Sequence, residues 1–236
     1  MKKVATTFIA MFMMTLLSGQ HEIGIRVGGS FNDTRVDGII PELTPDTRFR
    51  EGFTAGLYYN IPLMNGFSFA PGINYTQKGF VVDEGFDVDL LGMNIPLGVK
   101  VDTRLDFVEV PLLFRYNMPK GLANFYLEGG PTVGYALEGV ARTKARTIID
   151  INVNTTHLDL SKDLYNRLEL SGQVGAGVEV QAGSGMLFTN VRYQRGFSDM
   201  IDNPTIDISM KNSSFNFGVG YVFRFGGTDR KSPFGA

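Results

Sequence analysis

The chain has 236 residues, of which 22 are basic and 24 acidic, so it lacks the positive excess that nucleic-acid binding requires. It contains no cysteine, which excludes disulfide bonds and thiolate metal sites. Its 29 glycines, 19 phenylalanines and 9 tyrosines predict many short strands joined by tight turns. No shift in composition along the chain divides it into two domains.

The first 20 residues have the plan of a secretory signal peptide. Lys2 and Lys3 precede an uncharged stretch at 4–17, and small or polar residues follow at 18–20. The uncharged stretch is short for a membrane-spanning helix, and it matches the apolar region of an export signal. We therefore expect cleavage near residue 20 and export of the mature chain; the alternative is a short helix packed on a soluble domain.

Apolar and polar residues alternate from the end of this segment almost to the end of the chain. Neighbouring side chains of a β-strand point to opposite faces, so the alternation predicts strands with one apolar and one polar face. Eight such runs lie at 22–31, 52–61, 67–80, 108–116, 125–137, 168–180, 187–194 and 214–225. The last run has the most regular apolar face, which consists of Phe215, Phe217, Val219, Tyr221, Phe223 and Phe225.

Such faces need apolar surroundings, which either a soluble β-sandwich core or a lipid bilayer supplies. The order of the connections favours the bilayer, because long and short segments alternate strictly. The long connections are 32–48, 82–104, 139–166 and 197–213, and the short ones are 62–66, 118–121 and 182–185. Outer-membrane barrels have short periplasmic turns and long external loops. Aromatic residues also gather near both ends of the runs, as interfacial girdles do.

The predicted fold class is therefore all-β: an eight-stranded, antiparallel, up-and-down transmembrane β-barrel. We expect it to occupy residues 21–226, after a signal peptide at 1–20 and before a short tail at 227–236. The predicted location is the outer membrane, with both termini in the periplasm. A soluble calyx or sandwich is the alternative.

Four segments, at 71–79, 108–114, 126–131 and 191–199, resemble the PorT-like family of outer-membrane β-barrel proteins. The resemblance spans most of the mature chain. It implies a single-domain barrel without a catalytic set, in a family whose role is usually unassigned but which includes relatives linked to protein secretion. The chain departs from the pattern at Gly72, where the family often has an acidic residue, and at 226–236, which extends past the last strand.

Charged residues recur on the polar faces of the predicted strands. Side chains fill the interior of an eight-stranded barrel, so we expect these charges to meet there as a structural network of salt bridges. An ion or proton path is the alternative. The predicted members are Arg26, Lys78, Glu109, Arg115, Glu128, Glu169, Glu179, Arg192 and Arg224.

Catalytic residues are scarce, since the chain has only two histidines, His21 and His157. His157, with Asp159, lies in the third long connection, and Asp87 and Asp89 lie in the second. Histidine and paired carboxylates serve hydrolases, but loop acids are more often solvated surface groups, so we expect no enzyme. The acids at 83–89 lack the glycine and the final glutamate of a calcium loop, and we expect no metal and no cofactor.

The predicted function is that of a structural or surface-interaction protein acting through long extracellular loops. The alternatives are an accessory component of an outer-membrane secretion apparatus, a narrow porin-like channel, or a loop-borne enzyme. The expected partners are the lipid bilayer, the outer-membrane insertion machinery, and a secretion complex or surface partner. Nucleic acid is not expected.

Overall fold

The structure is a computed structural model, and it describes residues 21–37, 47–90, 93–146, 151–158, 160, 166–199 and 209–225. The predicted signal peptide at 1–20 and the predicted tail at 227–236 lie outside these residues. No helix in the described ranges is both long enough and apolar enough to cross a membrane.

Strands make up nearly all of the described chain. In order they are β1 (His21–Asp37), β2 (Thr47–Arg48), β3 (Arg50–Pro62), β4 (Phe67–Leu90), β5 (Met93–Lys120), β6 (Ala123–Arg146), β7 (Ile151–Leu158), β8 (Leu168–Ala182), β9 (Gly185–Gly196) and β10 (Ser209–Phe225).

Eight of these strands close into a barrel in the order β1-β3-β4-β5-β6-β8-β9-β10, and β10 pairs again with β1. Every pairing is antiparallel. The closing ladder is unbroken from His21, opposite Phe225, to Asp37, opposite Ser209. Each of the eight predicted runs lies within one strand of the barrel. The eight-stranded antiparallel barrel predicted from the sequence is therefore confirmed.

The alternation in the sequence separates the outside of the barrel from its inside. Phe215 and Phe217 on β10 are 41% and 45% exposed, whereas Ser214 and Asn216 are buried. The same division holds along the other barrel strands, whose aliphatic and aromatic residues form an apolar band around the outside. The side chains of the opposite face line the interior.

Three tight turns define one end of the barrel, here named the turn end. They lie at 63–66, 121–122 and 183–184, beside His21 and Phe225, the first and last described residues. Gly66, Gly121 and Gly183 have φ of 81°, 60° and 62°, a backbone conformation in which a side chain is strained. Glycine at these positions lets neighbouring barrel strands reverse within a few residues.

The opposite end, named the loop end, differs from the prediction. Barrel pairing of β3 with β4 stops at Thr54 and Thr76, and that of β6 with β8 stops at Tyr135 and Leu168. Beyond these points β4, β5 and β6 continue to pair, β7 adds to β6, and β2 adds to β4. This five-stranded extension, in the order β7-β6-β5-β4-β2, is named the loop-end sheet.

The prediction of long loops at 82–104 and 139–166 was therefore wrong for most of these residues. The connections 32–48 and 197–213 are likewise strand at 32–37, 47–48 and 209–213. The physical reason is that a strand leaving the bilayer no longer needs an apolar outer face. Its polar composition then resembles that of a loop, although neighbouring strands still satisfy its backbone hydrogen bonds.

Two apolar clusters also lie on the inner face, which is not polar throughout. The cluster nearer the turn end contains Tyr58, Ala70, Met186, Phe188 and Val222. The cluster nearer the loop end contains Leu105, Phe107, Ala136 and Leu160. The charged residues of the interior lie among and between these clusters.

Candidate functional site: the interior ion-pair network

Lys78 on β4 is the centre of the first group of interior charges, named the lysine cluster. Its Nζ lies 2.7 Å from Glu109 Oε1 on β5 and also forms an ion pair with Glu169 on β8. All three side chains are almost fully buried. The ammonium group thus links β4 and β5 to the far wall of the barrel, where β8 lies.

Neutral donors complete the coordination of the two carboxylates. Thr76 Oγ1 donates to Glu109 Oε2 at 2.8 Å, and Gln194 Nε2 donates to Glu109 Oε1 at 2.7 Å. Asn212 Nδ2 donates to Glu169 Oε2 at 2.7 Å. The ring of Phe107, whose centroid is 4.9 Å from Lys78 Nζ, lies against the ammonium group. A buried ion pair tolerates burial only when its remaining polar atoms are satisfied in this way.

A second group, named the arginine cluster, joins β5, β6, β8 and β9. Arg115 Nη1 lies 2.8 Å from Glu179 Oε1, and Arg115 Nη2 lies 3.1 Å from Glu128 Oε2. Arg192 Nε lies 2.6 Å from the other oxygen of Glu128. Because Glu128 engages one arginine with each oxygen, it connects two cations that would otherwise repel each other.

Aromatic rings and one amide support Arg115. Its guanidinium carbon lies 3.9 Å from the ring centroid of Tyr126 and 5.1 Å from that of Tyr58. Asn124 Nδ2 donates to Glu179 Oε2 at 3.1 Å. Flat guanidinium groups stack favourably on aromatic faces, so Arg115 is held by charge on one side and by rings on another.

Arg26 on β1 lies apart from both clusters. Its Nε donates to Asn190 Oδ1 at 3.0 Å, and its Nη1 donates to Thr54 Oγ1 at 3.5 Å. Thr54 Oγ1 is 3.3 Å from Thr76 Oγ1, which in turn reaches the lysine cluster. Only 2% of Arg26 is exposed, and the described residues supply no carboxylate to it.

Arg224 lies at the turn end, away from the other predicted residues. Its Nε is 3.0 Å from Glu22 Oε1, and Asn60 Nδ2 donates to Glu22 Oε2 at 2.6 Å. The Arg224 side chain is 26% exposed, unlike those of the two clusters. Glu22 is absent from the predicted set, although it stands directly opposite Arg224 in the closing ladder and on the polar face of β1.

The structure thus brings most of the predicted charges together in pairs, with Arg26 and Arg224 outside the two clusters. The uncharged residues that complete the network are not among the predicted members. Only their position could have identified them from the sequence, since each lies on the polar face of its strand. They are Thr54, Thr76, Asn124, Asn190, Gln194 and Asn212.

The residues considered for catalysis do not converge. His157 on β7 stands opposite Val140 on β6. In the next two ladders Val140 stands opposite Arg104 on β5, and Arg104 stands opposite Gly79 on β4, so His157 is at the height of Gly79. Asp87 is eight residues further along β4, which is about 27 Å at roughly 3.4 Å per residue. His157 itself is exposed, and its Nε2 lies 3.6 Å from Glu138 Oε1. Asp159 is outside the described residues.

In the described part of the chain no group of three or more histidine, cysteine, aspartate or glutamate residues has the geometry of a metal site. The interior instead holds carboxylates that are each committed to lysine or arginine.

A family model described as an outer membrane protein β-barrel domain matches residues 17–202. Neisserial surface protein A, from Neisseria, is 12% identical, with a TM-score of 0.43 over 88% of this chain and 100% of that one. OprG of Pseudomonas aeruginosa is 11% identical, with a TM-score of 0.44 over 87% and 96% of the two chains.

Ail, the attachment invasion locus protein of Yersinia pestis, is 16% identical, with a TM-score of 0.40 over 87% of this chain and 100% of that one. A search among curated proteins found no match. The family match covers more than three quarters of the chain, and the fold agrees with it. The chain belongs to the outer-membrane protein β-barrel domain family, and its outer apolar band faces the lipid of that membrane.

Proposed function

We propose that this protein is a surface-interaction protein whose filled, salt-bridged barrel supports a binding surface at the loop end. In the proposed orientation the loop end is extracellular, and the turn end, where His21 and Phe225 lie, is periplasmic. The observation that carries the proposal is the loop-end sheet. A chain that merely needed to reverse direction outside the membrane would not require five paired strands there.

The loop-end sheet is long and continuous. The β4–β5 ladder runs without a break from Thr76, opposite Phe107, to Leu90, opposite Met93. The residues after Thr76 extend about 48 Å along the strand direction at roughly 3.4 Å per residue. Binding sites gain when a rigid scaffold presents them, because less conformational freedom is lost on association. The sheet supplies such a scaffold beyond the lipid.

Removing the outer part of the β4–β5 hairpin tests this proposal. Glu84 and Val99 are directly opposite each other, so residues 85–98 are replaceable by a two-residue Asn-Gly turn. We expect the shortened protein to retain the heat-dependent gel shift of a folded barrel. In a detergent pull-down from native outer membranes, we expect it to lose the partners that the full-length protein captures.

The matched control changes the other end of the barrel. Leu122, in the turn between β5 and β6, is highly exposed, and serine at this position leaves the loop end intact. We expect the Leu122→Ser variant to capture the same partners as the parent. Equal capture by the shortened hairpin variant would show that the β4–β5 hairpin is not the binding surface.

A filled interior also predicts the electrical behaviour of the protein. The lysine and arginine clusters cross the space inside the barrel, and apolar clusters lie near each end. We expect purified protein in planar bilayers to give no steady unit currents, while a porin in the same bilayers conducts. Large and stable unit currents from the purified barrel would contradict a structural network and favour a channel.

The second candidate function is an accessory role in an outer-membrane secretion apparatus. The resemblance of segments 71–79, 108–114, 126–131 and 191–199 to PorT-like proteins favours it. In that case the pull-down yields a stable multi-protein complex that survives hairpin removal, because the contacts lie elsewhere on the barrel. For either role we propose that the outer-membrane insertion machinery assembles the barrel.

A further inference from the structure

Arg26 differs from the other cations of the barrel interior in its surroundings. Lys78, Arg115 and Arg192 each form an ion pair with at least one buried glutamate. Arg26 is equally buried, but its two hydrogen bonds go to the neutral side chains of Asn190 and Thr54. Burial of a charged group is costly unless a counter-charge or several hydrogen bonds compensate for it.

Two neighbouring donors are unused. Arg26 Nη2 and Asn190 Nδ2 are both buried, and neither has a hydrogen-bond partner among the described residues. They flank one hydrogen bond, in which Arg26 Nε donates to Asn190 Oδ1. Nη2 belongs to the same guanidinium group as Nε, and Nδ2 belongs to the same amide group as Oδ1. A single acceptor placed beside that hydrogen bond therefore reaches both donors.

The surrounding residues leave the two unused donors without an acceptor of their own. Arg192 shares the inner face of β9 with Asn190, two residues away, and adds positive potential. Both oxygens of Glu128 are already engaged by arginines. Glu109 connects to Arg26 only through the hydroxyls of Thr76 and Thr54. The carboxylates thus balance the charge of the interior at a distance, without supplying an acceptor for Arg26 Nη2.

Gly218 leaves room for the guanidinium group of Arg26. The guanidinium lies over Gly218 on β10, where an added Cβ would be 2.3 Å from Arg26 Nε. A larger residue on β10 would therefore displace the arginine from Asn190. The backbone of β10 forms one wall of the site, while β1 and β9 carry its two donors.

We propose that Arg26 and Asn190 form a binding site for a small monovalent anion, with chloride as the simplest occupant, held between Arg26 Nη2 and Asn190 Nδ2. Charged hydrogen bonds from a guanidinium to an anion are stronger than those to a neutral acceptor. The anion stabilises the closed barrel because it binds only when β1 and β9 are both in place.

The test compares unfolding of the purified, detergent-folded barrel in sodium chloride, sodium bromide and sodium gluconate at one ionic strength. Gluconate is a much larger anion than either halide, so we expect a melting temperature about 2–4 °C higher in either halide. In crystals grown with bromide, we expect an anomalous peak beside Arg26 Nη2. The same melting temperature in all three salts, or no peak, would overturn the proposal in favour of a neutral acceptor such as water.

The Asn190→Asp variant makes the test specific. Aspartate at this position places a full negative charge beside Arg26 and repels an added anion, so we expect the halide effect to disappear while the barrel remains folded. Asn216→Asp, a carboxylate added on the inner face of β10, is the matched control and should keep the halide effect. Persistence of the effect in Asn190→Asp would show that the halide acts elsewhere on the protein. The wild-type salt series remains decisive if either variant fails to fold.

Discussion

Replacing Lys78 by methionine is expected to lower the free energy of unfolding by about 3–5 kcal/mol, because it leaves two buried carboxylates without their cation. Lys78 is 1% exposed, and its ion pair with Glu169 joins β4 to β8, which is distant in the chain. Urea unfolding of the folded barrel in lipid vesicles, followed by the heat-dependent gel shift, measures the change as a lower midpoint.

The triple variant Lys78→Met, Glu109→Gln, Glu169→Gln separates charge from packing. Glutamine keeps most of the volume of glutamate and accepts the hydrogen bonds that Thr76 and Asn212 donate. We expect the triple variant to regain at least half of the lost stability, since no unpaired carboxylate is left in the lysine cluster. If the single and triple variants unfold at the same midpoint, lost packing of the lysine stem explains the effect, and charge does not.

Replacing Gly28 by alanine is expected to open the closing ladder between β1 and β10. An added Cβ at Gly28 would lie 1.8 Å from the carbonyl oxygen of Phe217, a backbone atom that no rotamer change moves away. Overpacking costs about 1–3 kcal/mol where side chains adjust, and we expect a loss at or above that range here. A lower yield of the heat-modifiable form and a lower urea midpoint are the measurements.

Gly29 provides the control within the same strand. It also pairs with β10, but an added Cβ there meets only the carbonyl oxygen of Gly52, at 3.8 Å. We expect Gly29→Ala to change stability by no more than about 0.5 kcal/mol. Equal loss in the two variants would mean that backbone freedom at either glycine, and not the close approach of Phe217, governs closure.

The sequence predicted two features of the barrel well, the two faces of each strand and the number of strands, because both can be taken directly from the order of residues along the chain. On β10, for example, Phe217 faces outward and Asn216 faces inward, because successive side chains of a strand point to opposite faces and the outer face of a barrel in a bilayer is apolar. The number of strands followed from counting such runs. The extent of β4 and β5 beyond the bilayer was missed, because a strand outside the bilayer no longer needs an apolar outer face, and its sequence loses the alternation that marks a strand.

The same alternation placed Lys78, Glu109, Arg115, Glu128, Glu169, Glu179 and Arg192 inside the barrel, and it placed Arg26 there as well. It could not pair them, because pairing depends on how far each strand is shifted against its neighbours. Lys78 and Glu169, for example, are 91 residues apart in the chain and meet only after the barrel closes. The alternation also could not show that Arg26 donates to the amide of Asn190 and not to a carboxylate.

By itself, then, the sequence determined the strand count, the antiparallel order, the two faces of each strand and the presence of balanced charges inside the barrel. The tertiary structure alone decided which charges pair, that Arg224 pairs with Glu22 at the turn end, and that the long connections form the loop-end sheet. The physical reason is that the face to which a side chain points is set by the local geometry of its own strand. Which side chains meet across the barrel is set by the register of all eight barrel strands.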